Sequence, residues 1–277
     1  MQKTLSDFYL LIPPHPIITT KKTLMQETSK VMQEERICVV IPSYHNETTI
    51  ADVVSRTMVF TQQVIVVLDG EPAKAQQALA EAGLKPTVVA YEKNRGKGDA
   101  LKMGFKKAIL MGYEYAITID SDGQHFPEDI PLFVEAFQHN KGAFIIGMRN
   151  LCQENMPQGN SFANNFSNFW FHFQTGIKLS DTQCGFRLYP LSMMNAGWHV
   201  TSRYESELEF LVYAAWKGVR IVSIPVQVYY PPIAERVSSF RPVYDFLRIT
   251  VLNIVLTTGA VFYYLPARIL RKLKRRQ

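Results

Sequence analysis

Asp120 and Asp122 stand two residues apart where the apolar run Tyr115–Ile119 ends. Alternate residues of an extended chain point to the same side, so both carboxylates can face one ligand. Such a pair suits a hard divalent cation, Mg²⁺ or Mn²⁺, which takes oxygen ligands and itself bridges phosphate oxygens. The chemistry implied is on a nucleoside diphosphate. The competing reading is an ordinary polar turn, since Asp, Ser and Gly gather in turns whatever their role. An EF-hand calcium loop is excluded. That loop needs Gly at its sixth position and Glu at its twelfth, and here those places hold His125 and Pro131.

The elements that must position this pair are regular from Arg36 onward. Strand-like apolar runs fall at 37–42, 64–69, 86–91, 115–120 and 143–147, separated by helical stretches that include 99–111. Strands alternating with helices predict an α/β fold with a largely parallel sheet flanked by helices. Ligands of such sheets bind beyond the carboxyl ends of the strands. The polar clusters lie there: Ser43–Glu47, Asp69–Gly70, Asn94–Gly98 and Asp120–His125. After residue 150 the alternation breaks down. A segment rich in Asn and aromatic residues leads to Asp181–Arg187, then to an expected helix at 204–217 and strands near 219–224 and 226–230. Residues 1–35 show no sustained period and read as an extension without an assigned role.

With 277 residues, 47% of them hydrophobic, the chain can bury a substantial core. Its 30 Lys and Arg against 24 Asp and Glu give a net charge of +6. The tail residues Arg268, Arg271, Lys272, Lys274, Arg275 and Arg276 supply six positive charges with no acid among them, so the remainder is neutral. This excludes a basic nucleic-acid-binding body. Cys38, Cys152 and Cys184 are too few and too scattered for a disulfide framework or a CxxC metal site, which fits a reducing, cytosolic setting. Phe8–Ile12 is too short for a signal-peptide core. Ile249–Leu265 carries no charge, but Thr250, Asn253, Thr257, Thr258 and Gly259 interrupt it, and a spanning helix needs about 20 predominantly apolar residues. An interfacial helix pinned by the basic tail to anionic lipid fits this pattern; a last core helix with a solvated end is the alternative. The expected division is therefore 1–35, 36–240 and 241–277.

Gly96–Lys97–Gly98 lacks the third glycine of the dinucleotide fingerprint, and no GxxxxGK[ST] occurs. The joint order Pro42–Ser43–Tyr44–His45–Asn46–Glu47, Asp69–Gly70, Asn94–Arg95–Gly96–Lys97–Gly98, Asp120–Ser121–Asp122–Gly123–Gln124–His125 and Asp181–Arg187 resembles the family 2 glycosyltransferases of GT-A fold. Among them it is similar to the dolichyl- or polyprenyl-phosphate sugar synthase branch. The resemblance covers about residues 36–240 and implies a role for each motif. Pro42, Tyr44 and Glu47 would line the nucleoside, and Asp69 would accept hydrogen bonds from the base. Arg95 and Lys97 would support the diphosphate, with a solvated turn as the alternative. Asp120 would approach the ribose or the metal, and Asp122 the metal, a Mg²⁺ or Mn²⁺ ion. Gln124 and His125 match the pair that follows the acidic motif in the lipid-phosphate branch, although a lone His is more often structural. Asp181 is the expected base or acceptor-orienting group, with Glu205 and Glu207 in reserve unless they form a solvent-facing acidic pair. Arg149, Arg187 and Arg236 are the cations expected near the diphosphate or an acceptor phosphate, with a surface or structural salt-bridge partner as the alternative for each. Asn46 also reads as a helix N-cap. The sequence departs from the pattern at His45 and Leu68, which leaves UDP and GDP both open, and Arg236–Ser239 matches only part of the Arg-Gly-Ser-Lys loop of the polyprenyl-phosphate enzymes, which bears on the acceptor phosphate.

The resemblance implies an inverting glycosyltransferase that moves a sugar from a UDP- or GDP-linked donor to a lipid-linked acceptor, held at the anionic cytoplasmic face of a membrane. A non-catalytic nucleotide-sugar-binding or scaffold protein of the same fold is the alternative.

Overall fold

The computed structural model describes residues 21–150, 158–196, 199–230 and 242–274. Among them, seven strands form one sheet: β1 (Ile37–Ser43), β2 (Val64–Asp69), β3 (Thr87–Tyr91), β4 (Tyr115–Thr118), β5 (Phe144–Arg149), β6 (Arg187–Pro190) and β7 (Ile221–Val226). Their spatial order is β3-β2-β1-β4-β6-β5-β7. Neighbours are parallel except at β6, which runs antiparallel to both β4 and β5. Every residue of β1 and β2 is buried, as expected of central strands covered on both faces, which read as near-continuous Val and Ile rather than as alternation.

The helices are α1 (Lys21–Glu34), α2 (Ile50–Met58), α3 (Ala73–Glu81), α4 (Lys97–Leu110), α5 (Ile130–His139), α6 (Gln158–Thr175), α7 (Glu205–Trp216), α8 (Pro242–Gly259) and α9 (Leu265–Lys274). Gly104 lets α4 lie close on the sheet, because a Cβ there would run into Val40 of β1 and stand 3.1 Å from Val67 of β2. This contact fixes the height of Lys97 at the start of the same helix. Within the segment 1–35, α1 packs on the body and buries Thr28 and Met32.

In the second half the structure supplies two elements to which the sequence reading gave no assignment and changes one expectation. The Asn-rich segment is the long helix α6, whose Asn164 and Asn168 amides both donate to the Ser180 carbonyl, at 2.9 and 2.8 Å. These asparagines therefore hold a loop instead of forming one. Arg187–Pro190 is a strand at the centre of the sheet. Only one strand, β7, stands where two were expected; past its end Val228 makes an isolated antiparallel bridge to His125.

The C-terminal helix is seated along the body. Leu252, Leu256, Ala260 and Tyr264, four apart, are buried, and Tyr264 stacks on Trp216 at 5.6 Å. Gln174 of α6 donates to Asn253 Oδ1 and Thr257 Oγ1, both at 3.1 Å. Two of the polar residues that interrupt the apolar stretch, Asn253 and Thr257, thus face the protein, whereas Thr258 is exposed and donates to Ile254 O within the helix at 2.8 Å. Val251, Ile254, Val255 and Phe262 lie on the exposed side, Phe262 at 80%. A π-helical turn at Ala260–Tyr264 joins α8 to α9. Leu247–Ile269 is long and apolar enough to cross a membrane by length and composition, and little of it is buried in the protein.

Candidate active site

The carboxyl ends of β1, β2, β4 and β5, with the start of α4, meet at one edge of the sheet. Because β6 is antiparallel, the loop Asp181–Phe186 that feeds it arrives at the same edge. Thr118 Oγ1 donates to Gly185 O at 2.8 Å and fastens this loop to β4. On the other side, Asn46 Nδ2 donates to Ser121 Oγ at 2.9 Å, Ser121 Oγ to Pro42 O at 3.0 Å, and Thr49 Oγ1 to Ser121 O at 2.6 Å. These bonds tie the Ser43–Glu47 loop to the acidic motif. Asn46 therefore braces the motif and does not cap α2, whose N-cap position is Thr49.

At the centre Lys97 bridges two acids. Its Nζ lies 2.7 Å from Asp120 Oδ1 and 3.0 Å from Glu207 Oε2. Burial pulls its pKa down, but the two carboxylates outweigh burial and keep the ammonium charged. Burial likewise raises the Asp120 carboxyl, yet the Lys97 charge brings it below its ordinary value. Asp122 has no such partner. Burial first, and then the Asp120 charge, push it up to about 6, and the Gln124 N–H donates to its Oδ1 at 3.0 Å. Gly185 presses on this group; a Cβ there would stand 2.6 Å from Asp120 Oδ2 and 2.9 Å from Lys97 Nζ.

Other expected residues have different surroundings. Asp69 is buried under the Asn94–Gly96 turn, and its carboxylate accepts the backbone N–H of Arg95 at 2.7 Å and of Gly96 at 2.8 Å. It shapes the turn that carries Lys97. The Arg95 guanidinium lies over the Tyr91 ring, 4.7 Å from its centroid. Tyr44 and His45 pack ring against ring at 4.0 Å, and His45 approaches Glu47 at 3.8 Å. His45, the extra residue of the motif, has a positive φ of 55°, which marks a turn that reverses the chain.

Arg187 was expected to face a phosphate. It is fully buried and donates to the carbonyls of Cys184, Glu207 and Thr182 at 2.6, 2.6 and 2.9 Å. It fastens the loop to α7 from beneath. Asp181, expected as the base or an acceptor-orienting group, has its side chain buried and both oxygens taken by Arg149, at 2.7 and 2.9 Å. Burial raises its pKa, but the Arg149 hydrogen bonds and charge outweigh this and hold it below the ordinary carboxylate range. Such a group orients Arg149 and is a poor proton acceptor. Glu205 and Glu207 are buried, so the solvent-facing alternative is wrong for both. His125 is buried beside Cys184 Sγ at 3.5 Å, and burial drops its pKa to about 4. Arg236 lies outside the described residues. Sequence reasoning missed the Lys97–Glu207 contact, because nothing in either segment marks them as partners.

The Glycosyl transferase family 2 description matches residues 38–198, more than half of the chain. The chain belongs to glycosyltransferase family 2. This glycosyltransferase is 26% identical over 220 residues to the UDP-N-acetylglucosamine–dolichyl-phosphate N-acetylglucosaminyltransferase of Methanococcus voltae, covering 72% of this chain and 88% of that one. It is 25% identical over 202 residues to the undecaprenyl-phosphate mannosyltransferase of Micrococcus luteus, covering 69% and 82%. In fold it is similar to the crystal structure of glucosyl-3-phosphoglycerate synthase from Mycobacterium tuberculosis in complex with uridine diphosphate. The TM-score is 0.62 and the identity 17%, over 89% of this chain and 86% of that one. Another crystal structure of the same synthase holds Mn²⁺, UDP-glucose and phosphoglyceric acid.

The donor set fits a divalent cation of the kind that completes its shell with substrate. No group of three His, Cys, Asp or Glu among the described residues could hold an ion by itself. Mg²⁺ typically uses one or two carboxylates, with waters and substrate phosphates filling the rest. Asp122, whose carboxyl is raised first by burial and then by the Asp120 charge, is the ligand such an ion would favour. A cavity of about 250 Å³ is lined by the polar Arg149, Gln183 and Glu207 and by the apolar Phe166, Leu208 and Ile249.

Proposed function

We propose that this glycosyltransferase moves a sugar, with inversion, from a UDP- or GDP-linked donor to a polyprenyl-phosphate-type lipid at the cytoplasmic surface of a membrane. The observation that carries this reading is the state of Asp181. Transfer to a hydroxyl benefits from a general base, whereas a phosphate acceptor arrives ionised and needs a cation to hold it. Here the expected base is bound up with Arg149, and Arg149 lines a cavity together with the apolar Phe166, Leu208 and Ile249, a mixture that suits a lipid phosphate. The lipid-phosphate relatives support the same acceptor class.

On the donor side, Tyr44 and Glu47 line the nucleoside and Lys97 and Gln124 flank the diphosphate. Asp122, with Asp120 beside it, would hold a Mg²⁺ or Mn²⁺ ion, which would supply positive charge for the leaving nucleoside diphosphate. Lys97 keeps Asp120 fixed and adds its own charge to that end of the cleft. Arg149 holds the acceptor phosphate for attack on the anomeric carbon from the face opposite the leaving group. The exposed apolar side of α8 and the cations that follow it would rest on an anionic bilayer, each Lys or Arg near the surface contributing about 1 kcal/mol. Cys38 and Cys184 are free thiols, as a cytoplasmic placement expects.

The test is incubation of the full chain with a panel of nucleotide sugars, Mn²⁺ and a polyprenyl phosphate in anionic vesicles. The expected product is a glycosylated lipid from one donor, formed only with the metal. Donor binding without transfer to any lipid phosphate, alongside transfer to a soluble hydroxyl acceptor, would refute the acceptor assignment.

A further inference from the structure

Arg248 belongs to α8, the helix with the exposed apolar side, yet its guanidinium reaches into the wall of the active site. Its Nε and Nη2 donate to Glu205 Oε1 at 2.9 and 2.5 Å, and Nη2 donates to Ser202 Oγ at 3.3 Å. The Glu205 side chain is 1% exposed, and Arg248 is its ion-pair partner among the described residues. A buried carboxylate left without its cation is strongly unfavourable, so this contact fixes where α8 sits.

The segment that Arg248 holds lies flat on the turn that carries Lys97. Ser202 O accepts the Asp99 N–H at 3.0 Å. A Cβ on Gly96 would stand 2.7 Å from Ser202 O, and one on Gly98 would stand 2.5 Å from Ser206 Cβ. Glycine at both positions is what allows the two segments to touch. A continuous set of contacts therefore leads from α8 through Arg248 to Glu205 and Ser202, from Ser202 to the Gly96–Gly98 turn, and from Lys97 to Asp120.

We propose that Arg248 is a positioning residue for the donor site, coupling the seat of α8 to the turn that presents Lys97. The proposal rests on the reading that this turn supports the donor diphosphate. With α8 seated, Ser202 and Glu205 are held and the turn is pressed against Asp120. With α8 displaced, Glu205 loses its cation, the 202–206 segment loosens, and Lys97 loses its fixed height. A surface that holds α8 in place thereby favours the donor-binding geometry, and by linkage donor binding favours the seated helix.

The test is Arg248→Gln in the full chain, with two separate readouts: hydrogen exchange of the 96–99 amides without nucleotide, and affinity for UDP and GDP with Mn²⁺. Exchange at 96–99 is expected to rise at least about tenfold while the amides of α5 keep their rate. Affinity for the nucleotide that the wild type binds is expected to fall about tenfold, within the usual range of coupling between sites, and Arg248→Lys should recover part of it. The double variant Glu205→Gln with Arg248→Gln removes the unpaired buried charge, so its thermal midpoint should return toward wild type while the affinity loss persists. Unchanged exchange at 96–99 overturns the coupling. So does an affinity that recovers in step with the midpoint, which would mark a purely structural pair. Because exchange is read without nucleotide, a wild type that binds neither UDP nor GDP defeats the functional reading and still leaves the coupling decided.

Discussion

Gly185→Ala places one methyl group against the Asp120–Lys97 pair. Its Cβ would stand 2.6 Å from Asp120 Oδ2 and 2.9 Å from Lys97 Nζ, against an ordinary contact of roughly 3.5 Å. The loop cannot easily yield, because Gly185 O is bonded to Thr118 Oγ1 at 2.8 Å. The displacement therefore falls on the two side chains, which must retreat by roughly 0.6–0.9 Å. That movement breaks or stretches a charge-assisted hydrogen bond, a class worth roughly 1.5–3 kcal/mol. At about 1.4 kcal/mol per decade, affinity for the nucleoside diphosphate with Mn²⁺ should fall about 10- to 150-fold. Overpacking adds a stability loss of about 1–3 kcal/mol, which for a chain of this length lowers the midpoint by several degrees and leaves it folded at 25 °C. Titration calorimetry with and without Mn²⁺ measures the first effect, and circular dichroism on heating the second. A folded Gly185→Ala protein with wild-type affinity and wild-type metal dependence would refute the claim that the Asp120–Lys97 geometry governs donor binding.

Asp122→Ala should abolish transfer and weaken nucleotide-sugar binding far more with Mn²⁺ than without it; equal losses in both conditions would remove the metal from the account. Asp181→Asn should raise the acceptor KM and leave kcat within about tenfold, since its effect runs through Arg149, whereas a 10²–10⁴-fold fall in kcat at constant KM would restore it as a general base. Asp129 is buried and accepts the Gln227 N–H at 2.6 Å, and burial pushes its pKa up to about 6. A folded pKa above the unfolded one gives a stabilising contribution that is present in acid and lost as pH rises through about 6. The midpoint of Asp129→Asn should therefore decline less between pH 4 and 7 than that of the wild type, and parallel curves would contradict this. Reversing the charge of the 268–276 cations should release the protein from anionic vesicles at moderate salt while donor hydrolysis persists.

The first half of the fold was legible because β1, β2 and β4 are central strands, and burial on both faces writes them as unbroken apolar runs. The placing of Lys97, Asp120 and Asp122 together followed from the rule that ligands sit at the carboxyl edge of a parallel sheet. The second half was hidden by residues whose chemistry points elsewhere. Arg187 opens a strand that is wholly buried, and Pro190 closes it, so neither end looks like sheet. The asparagines of α6 disguise a helix because their amides serve the Ser180–Thr182 loop. What could not be read at all was pairing between distant segments. Asp181 carries the same letter whether it faces a substrate or Arg149, and only the position of β5 beside β6 decides which.

The direction of β6 also sets the order in which the molecule can be assembled. Both of its neighbours, β4 and β5, precede it in the chain, and the other neighbour of β5, β7, follows it. A nascent chain that stops before Arg187 can pair β1 with β2 and β4, and β2 with β3, but it leaves β5 with no partner and β4 with a bare edge. Unpaired edges of this kind are templates for association with other chains. Synthesis must therefore pass through a stage in which half of the sheet waits on four residues, and a fragment ending ahead of β6 should aggregate, whereas one that includes β7 should be the shortest with a closed sheet.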